Sequence, residues 1–180
     1  MIHLNLVREG QGPVVVLSHA LGCDLHMWDG LAPLLARDFT VLRYDHRNHG
    51  RSDVVAGAHT MQTLAQDAAD LIAREAGGAP VHFVGLSMGG MTAQALALSH
   101  PQLLRSVVIA NSASYYPDRA PWQARVETVQ AQGIAAIAPG AVARWLTPEF
   151  AASADGAALA RQLHDTLVGT HPHGYNAARP

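Results

Sequence analysis

A chain of 180 residues, 49% hydrophobic and only 14% charged, is long enough to bury roughly two-thirds or more of its unfolded surface in one core. Its formal net charge of −2 leaves no electrostatic footprint for nucleic acid or an anionic membrane. All twelve cationic side chains are arginine, which excludes both a lysine Schiff base and a phosphate-loop lysine.

The amino terminus has no basic segment leading into an apolar stretch, and no run approaches 18 apolar residues. One cysteine, Cys23, makes neither an internal disulfide nor a multi-cysteine zinc site. A soluble, cytoplasmic protein is expected. Ile2, Leu4 and Leu6 alternate as in a half-exposed strand over 2–8, and the Gly-Gln-Gly-Pro turn at 10–13 makes it one arm of a hairpin. Val14-Val15-Val16-Leu17 has no polar face and reads as a central parallel strand. A short helix over 29–37, capped by Asp29, and a strand over 39–45 follow.

After the polar turn HRNHGRSD (46–53), apolar residues at i, i+3, i+4 spacing predict an amphipathic helix over 61–76 that Gly77-Gly78 stops. A strand at 80–85, a helix at 88–99 and a buried strand at 105–111 complete the alternation of a mostly parallel sheet flanked by helices. From 121 to 170 only helical patterns remain. The expected organisation is an α/β core over 1–112, a helical cap over 113–175 and a tail over 176–180.

Gly85-Leu86-Ser87-Met88-Gly89 is a G-x-S-x-G between a strand and a helix. A serine on so tight a turn needs neighbours with almost no side chain, and glycines at 85 and 89 meet that need. The turn puts the Ser87 hydroxyl at the carboxyl edge of the sheet, above a helix N-terminus that favours developing negative charge. Ser87 is thus the candidate nucleophile; the plainer alternative is a glycine-rich turn with an incidental serine. The expected oxyanion donors are the backbone N–H of Met88 and that of Leu21, in the loop Ser18-His19-Ala20-Leu21-Gly22. His19 reads as a structural histidine bracing that loop.

The segments LSHALGCDLHMWD, RYDHRNHGRSD, VGLSMGGMTAQALALSHP and VVIANSAS resemble the α/β-hydrolases, and most closely the 3-oxoadipate enol-lactonases of bacterial aromatic catabolism (the β-ketoadipate pathway). The resemblance runs from about residue 4 to about residue 175 and includes the cap pieces ARWLTPEF and GTHPHGY. It implies an α/β-hydrolase fold with a helical cap, and hydrolysis of a small enol-lactone through a serine nucleophile without cofactor. Trp122 and Trp145, otherwise cap core, become candidate walls of the substrate pocket. Arg144 or Arg125 becomes a candidate clamp for a substrate carboxylate. Asn48 stands where the family's turn has glycine, and His19-Ala20 replaces its common His-Gly.

Such enzymes carry their triad in the order serine, acid, histidine, the last two on loops after later strands. No such strand pattern follows residue 112, so the last strands, the acid and the histidine are expected to be missing from this chain. Of the histidines after Ser87, His100 lies about 18 Å along its helix. His164 beside Asp165 reads as a solvated pair, and His171 and His173 are weak candidates for the base. As metal ligands these two lack a third partner, and no metal is expected. Asp118, the nearest carboxylate, reads as a loop residue. Two alternatives stay open: a general carboxylesterase or cofactor-free haloperoxidase-like hydrolase, and a non-catalytic binding module.

Overall fold

The computed structural model describes residues 2–177. Five strands form one sheet: β1 (Leu6–Glu9), β2 (Val14–Ser18), β3 (Thr40–Tyr44), β4 (Val81–Leu86) and β5 (Leu104–Ala110), in the order β1-β3-β2-β4-β5. Only β1 runs antiparallel, and it pairs with β3. The expected hairpin is therefore absent. The turn at 10–13 feeds a new central strand rather than a partner for β1, and Leu4, expected in the strand, is buried just before it.

Alternation along the central strands divides the core between the two faces. Val16, Leu42, Tyr44 and Phe83 pack under α2 (Met61–Ala76) and α3 (Met88–Ser99). Val15, Leu17 and Val41 face the other way, onto Trp28 and Ala32. Those two belong to a 3-10 turn (Leu25–Trp28) and to α1 (Ala32–Leu35), which together replace the helix expected over 29–37. Asp24, not Asp29, caps the 3-10 turn, its carboxylate accepting the His26 N–H at 2.9 Å. Asp29 ends that turn and pairs with Arg43 instead. α2 has the boundaries its periodicity predicts, closed by the Thr60 cap and by Gly77 in the left-handed region at φ 60°.

β5 differs from expectation more usefully. Its sequence is that of a buried strand, yet Val108 and Ile109 are 52% and 47% exposed, because β5 is the sheet edge and pairs only with β4. Beyond it the described residues hold no strand, only α4 (Ala120–Gln132), a 3-10 turn at Ile134–Ala136, α5 (Ala138–Trp145), α6 (Pro148–Ala151), α7 (Ala154–Gly169) and α8 (Pro172–Ala177). The core of this helical part is Val129, Ile134, Ala138, Ala141, Leu167 and Tyr175. Trp145 is 40% exposed and lies outside it, contrary to the plainer reading of its helix. α8 carries the helical region past the expected boundary at 175, and residues 178–180 of the expected tail lie outside the described residues.

Candidate active site

Ser87 is the single residue between β4 and α3, with φ 53° and ψ −113°. A serine held there carries about 1–3 kcal/mol of strain, which the surroundings must enforce. They do so by close approach of backbone. A side chain on Gly85 would run into the Gly89 carbonyl, one on Gly89 into the Ser18 carbonyl, and one on Gly90 into Ser112. The Ser87 N–H donates to the Ala110 carbonyl at 2.9 Å, and the Ser87 carbonyl accepts from the Met91 N–H at 3.0 Å and the Ser112 hydroxyl at 2.8 Å. Among the described residues nothing hydrogen-bonds the Ser87 hydroxyl, which the strained turn leaves half-buried rather than sealed in.

The sheet order brings the second element of the site alongside. β3 lies on one side of β2 and β4 on the other, so the chain reverses its winding at β2 and opens a crevice at the strands' carboxyl ends. The register pairs Ser18, the last residue of β2, with Gly85. The loop Ser18–Cys23 therefore leaves the sheet beside the Ser87 turn. The Gly22 N–H donates to His49 Nε2 at 3.2 Å, whereas the N–H groups of Leu21 and Met88 have no acceptor among the described residues. The Leu21 and Met88 side chains meet in one apolar cluster with Leu64 and Met61.

The turn after β3 forms the floor of this loop. Buried Asp45 accepts from the N–H of Leu25 at 2.7 Å, the N–H of Arg51 at 2.9 Å and the Asn5 amide at 2.7 Å. Asn48 takes the positive φ (65°) that a glycine would take, a conformation asparagine tolerates, and its Oδ1 accepts the Val55 N–H at 2.6 Å. The departure from the family's glycine thus leaves the turn intact. His19 braces the loop as expected, Nδ1–H donating to the Ala20 carbonyl at 2.8 Å and Nε2 accepting the His46 N–H at 2.9 Å. Burial pushes His19 down to about 3 and lowers His46 and His49 as well. His46 Nε2 meets the Ser18 hydroxyl at 2.9 Å, and that hydroxyl meets the Tyr44 hydroxyl at 3.2 Å. Sequence reasoning singled out none of Ser18, Tyr44, Asp45, His46, His49 or Ser112. Two histidines in HRNHGRSD were the available signal for part of that set.

An α/β-hydrolase-fold family model matches residues 13–164. The chain belongs to the α/β-hydrolase family. It is 35% identical over 168 residues to 3-oxoadipate enol-lactonase 1 of Acinetobacter baylyi, an alignment covering 93% of this chain and 62% of that protein. The enol-lactonase structure from Burkholderia xenovorans LB400 superposes with a TM-score of 0.91 at 32% identity, over 98% of this chain and 68% of the other. A thermophilic esterase from Thermogutta terrifontis gives a TM-score of 0.92 at 26% identity, over 98% and 65%. The chain spans about two-thirds of the length of these relatives.

In this α/β-hydrolase the helices after β5 lie against the loop Ser18–Cys23. Leu21 packs against the apolar core of those helices, and Gly22, at φ +74°, has Leu167 and Tyr175 where a side chain would stand. Tyr175 lies within electrostatic reach of Arg125, whose guanidinium carbon lies 4.5 Å from the centre of the Trp122 ring. Arg144 is exposed on α5 but within electrostatic reach of Tyr175. Trp122 and Arg125 are thus brought together, while Trp145 is 40% exposed on α5. Of the other sequence candidates, His164 bonds Asp165 at 3.1 Å on α7, Asp118 caps the Ala120 N–H at 2.8 Å, and His171 Nδ1 accepts the N–H of His173, whose neighbour Gly174 packs against Asn48, at 3.2 Å.

Proposed function

We propose that this site hydrolyses carboxylic esters and lactones through Ser87, with a small enol-lactone as the substrate class. One observation carries the reading: a non-glycine residue strained at positive φ at the head of a helix, beside two backbone N–H groups, Leu21 and Met88, that have no acceptor among the described residues. Ser87 Oγ attacks the lactone carbonyl carbon, and the carbonyl oxygen takes the charge between those N–H groups. Collapse breaks the ring C–O bond, the enolate leaves and takes up a proton at carbon to become the ketone, replacing the one lost by Ser87, and water then attacks the acyl-enzyme carbonyl, returning a proton to Ser87 Oγ and releasing the carboxylic acid. Trp122, Trp145 and Arg144 are the proposed pocket residues, with Arg125 beside Trp122 as an alternative carboxylate clamp. No metal or cofactor enters this scheme.

Among the described residues no group hydrogen-bonds the Ser87 hydroxyl, so none stands in place to take its proton. Both ring nitrogens of His19 and of His49 are engaged by backbone groups. As this chain, the protein is therefore expected to turn over slowly. The test compares an enol-lactone with p-nitrophenyl acetate, using the chain and its Ser87→Ala variant. Slow hydrolysis that disappears in the variant supports the reading; the same rate in both refutes it. The likeness to the thermophilic esterase favours a second reading, a general carboxylesterase, which predicts that the simple ester is the better substrate.

A further inference from the structure

Three buried imidazoles underlie the loop Ser18–Cys23, with ring centres 4.6 Å apart for His19 and His46, 5.4 Å for His19 and His49, and 6.5 Å for His46 and His49. His49 touches the loop where it bends most sharply. Its Nε2 faces the Gly22 N–H at 3.2 Å and its Nδ1 faces the Arg47 carbonyl at 3.0 Å. An amide N–H only donates and a carbonyl only accepts, so Nε2 must carry the lone pair and Nδ1 the hydrogen. The ring is neutral and its tautomer is set by two backbone groups.

We propose that His49 is a positioning residue of the oxyanion loop: by accepting the Gly22 N–H it fixes the bend that leaves the neighbouring Leu21 N–H unengaged beside Ser87. The proposal rests on the reading of Leu21 and Met88 as oxyanion donors. Gly22 is held on the other side by Leu167 and Tyr175, and its φ of +74° admits no ordinary side chain. Only the imidazole acceptor on the core side can change state. A proton on Nε2 would set N–H against N–H and release Gly22.

Protonation is governed by every group around the ring. Burial disfavours it, while the Arg47 carbonyl on Nδ1–H and the Asp45 carboxylate favour it. His19 and His46 lie against the ring on one side, and His59 lies within electrostatic reach. The Arg47 guanidinium is committed to Asp67. The loop therefore holds its shape at neutral pH and loses it when His49 titrates, below the ordinary histidine range.

The test uses the chain with His49→Gln, whose side-chain oxygen accepts an N–H at any pH, and His49→Phe, which accepts none. Nitrogen NMR of the wild-type ring should show an unprotonated Nε2 at pH 7. Gly22 amide exchange should accelerate about tenfold or more in His49→Phe, with the Leu42 amide unchanged, and recover in His49→Gln. Labelling of Ser87 by a fluorophosphonate should slow about tenfold in His49→Phe, recover to within about twofold in His49→Gln, and lose its acid limb there. A protonated Nε2 at pH 7, or His49→Phe with wild-type Gly22 protection and labelling, overturns the proposal. If no form labels, the Ser87 reading fails, and the ring tautomer and Gly22 exchange still decide the role of His49. If His49→Phe does not fold, the wild-type ring and His49→Gln decide it.

Discussion

Arg47 and Asp67 are joined by two parallel hydrogen bonds, Nε to Oδ2 and Nη2 to Oδ1, both 2.6 Å long. The pair is largely buried and ties the turn after β3, the floor of the loop Ser18–Cys23, to the middle of α2. Removing one partner leaves the other charge without compensation. Asp67→Ala is expected to cost about 3 kcal/mol or more in urea-unfolding stability. Arg47→Lys, which keeps the charge but not the fork, should recover only part of the loss.

The glycines around Ser87 make a separate test of how tightly the turn is built. Gly89→Ala would drive a methyl into the Ser18 carbonyl and Gly85→Ala one into the Gly89 carbonyl, neither of which is a flexible side-chain end. Each is expected to lose about 1–3 kcal/mol and to reduce Ser87 labelling. Gly30→Ala, where nothing lies within 4 Å, should stay within about 0.5 kcal/mol of wild type. Equal effects at all three positions would contradict the packing described.

Acid should destabilise the fold in a defined window. The folded values of His19, His46, His49 and His59 lie below the ordinary histidine value of about 6.5, reaching about 3 for His19 and about 4 for His59, chiefly through burial. Above that value both folded and unfolded chains carry neutral rings, so these groups leave stability unchanged with pH. As pH falls through it, the unfolded chain takes up protons that the folded chain refuses. Stability is therefore lost from about pH 6.5 downward, each such histidine contributing at most about 1.4 kcal/mol per pH unit. Urea melts between pH 8 and pH 4.5 should be flat at the upper end and steepen below about 6.5. A flat profile throughout would mean that the rings are not buried neutral.

The open edge at β5 predicts self-association. Val108 and Ile109 are exposed on a strand with a free row of backbone groups, a template for pairing with another chain. Ile109→Lys should shift light scattering toward smaller species while changing the unfolding midpoint little. Unchanged scattering would show that the edge is not the sticking surface.

How much of this was legible follows from which interactions are local. α2 and the Ser87 turn are encoded by spacing within a dozen residues, and both stand where the sequence puts them. The helix expected over 29–37 contracted because Asp29, a plausible cap locally, is claimed by Arg43 from a neighbouring strand. β5 reads as buried from its apolar content alone; its place at an open edge follows instead from the expectation that the last strands are missing. The histidine floor escaped notice because its contacts are not local. His19 and His46, like Gly22 and His49, are 27 residues apart across the β2–β3 crossover, and only the parallel register of those strands sets each pair together.

Leu21 packs at once with Met88 at the head of α3 and with the core of the helices beyond β5. The helices beyond β5 and the loop Ser18–Cys23 therefore cannot diverge independently. A helical layer exchanged from a relative would have to bring its own counterpart for Leu21 and its own occupant for the space over Gly22. The independence of the two layers stops, in this chain, at residues 21 and 22.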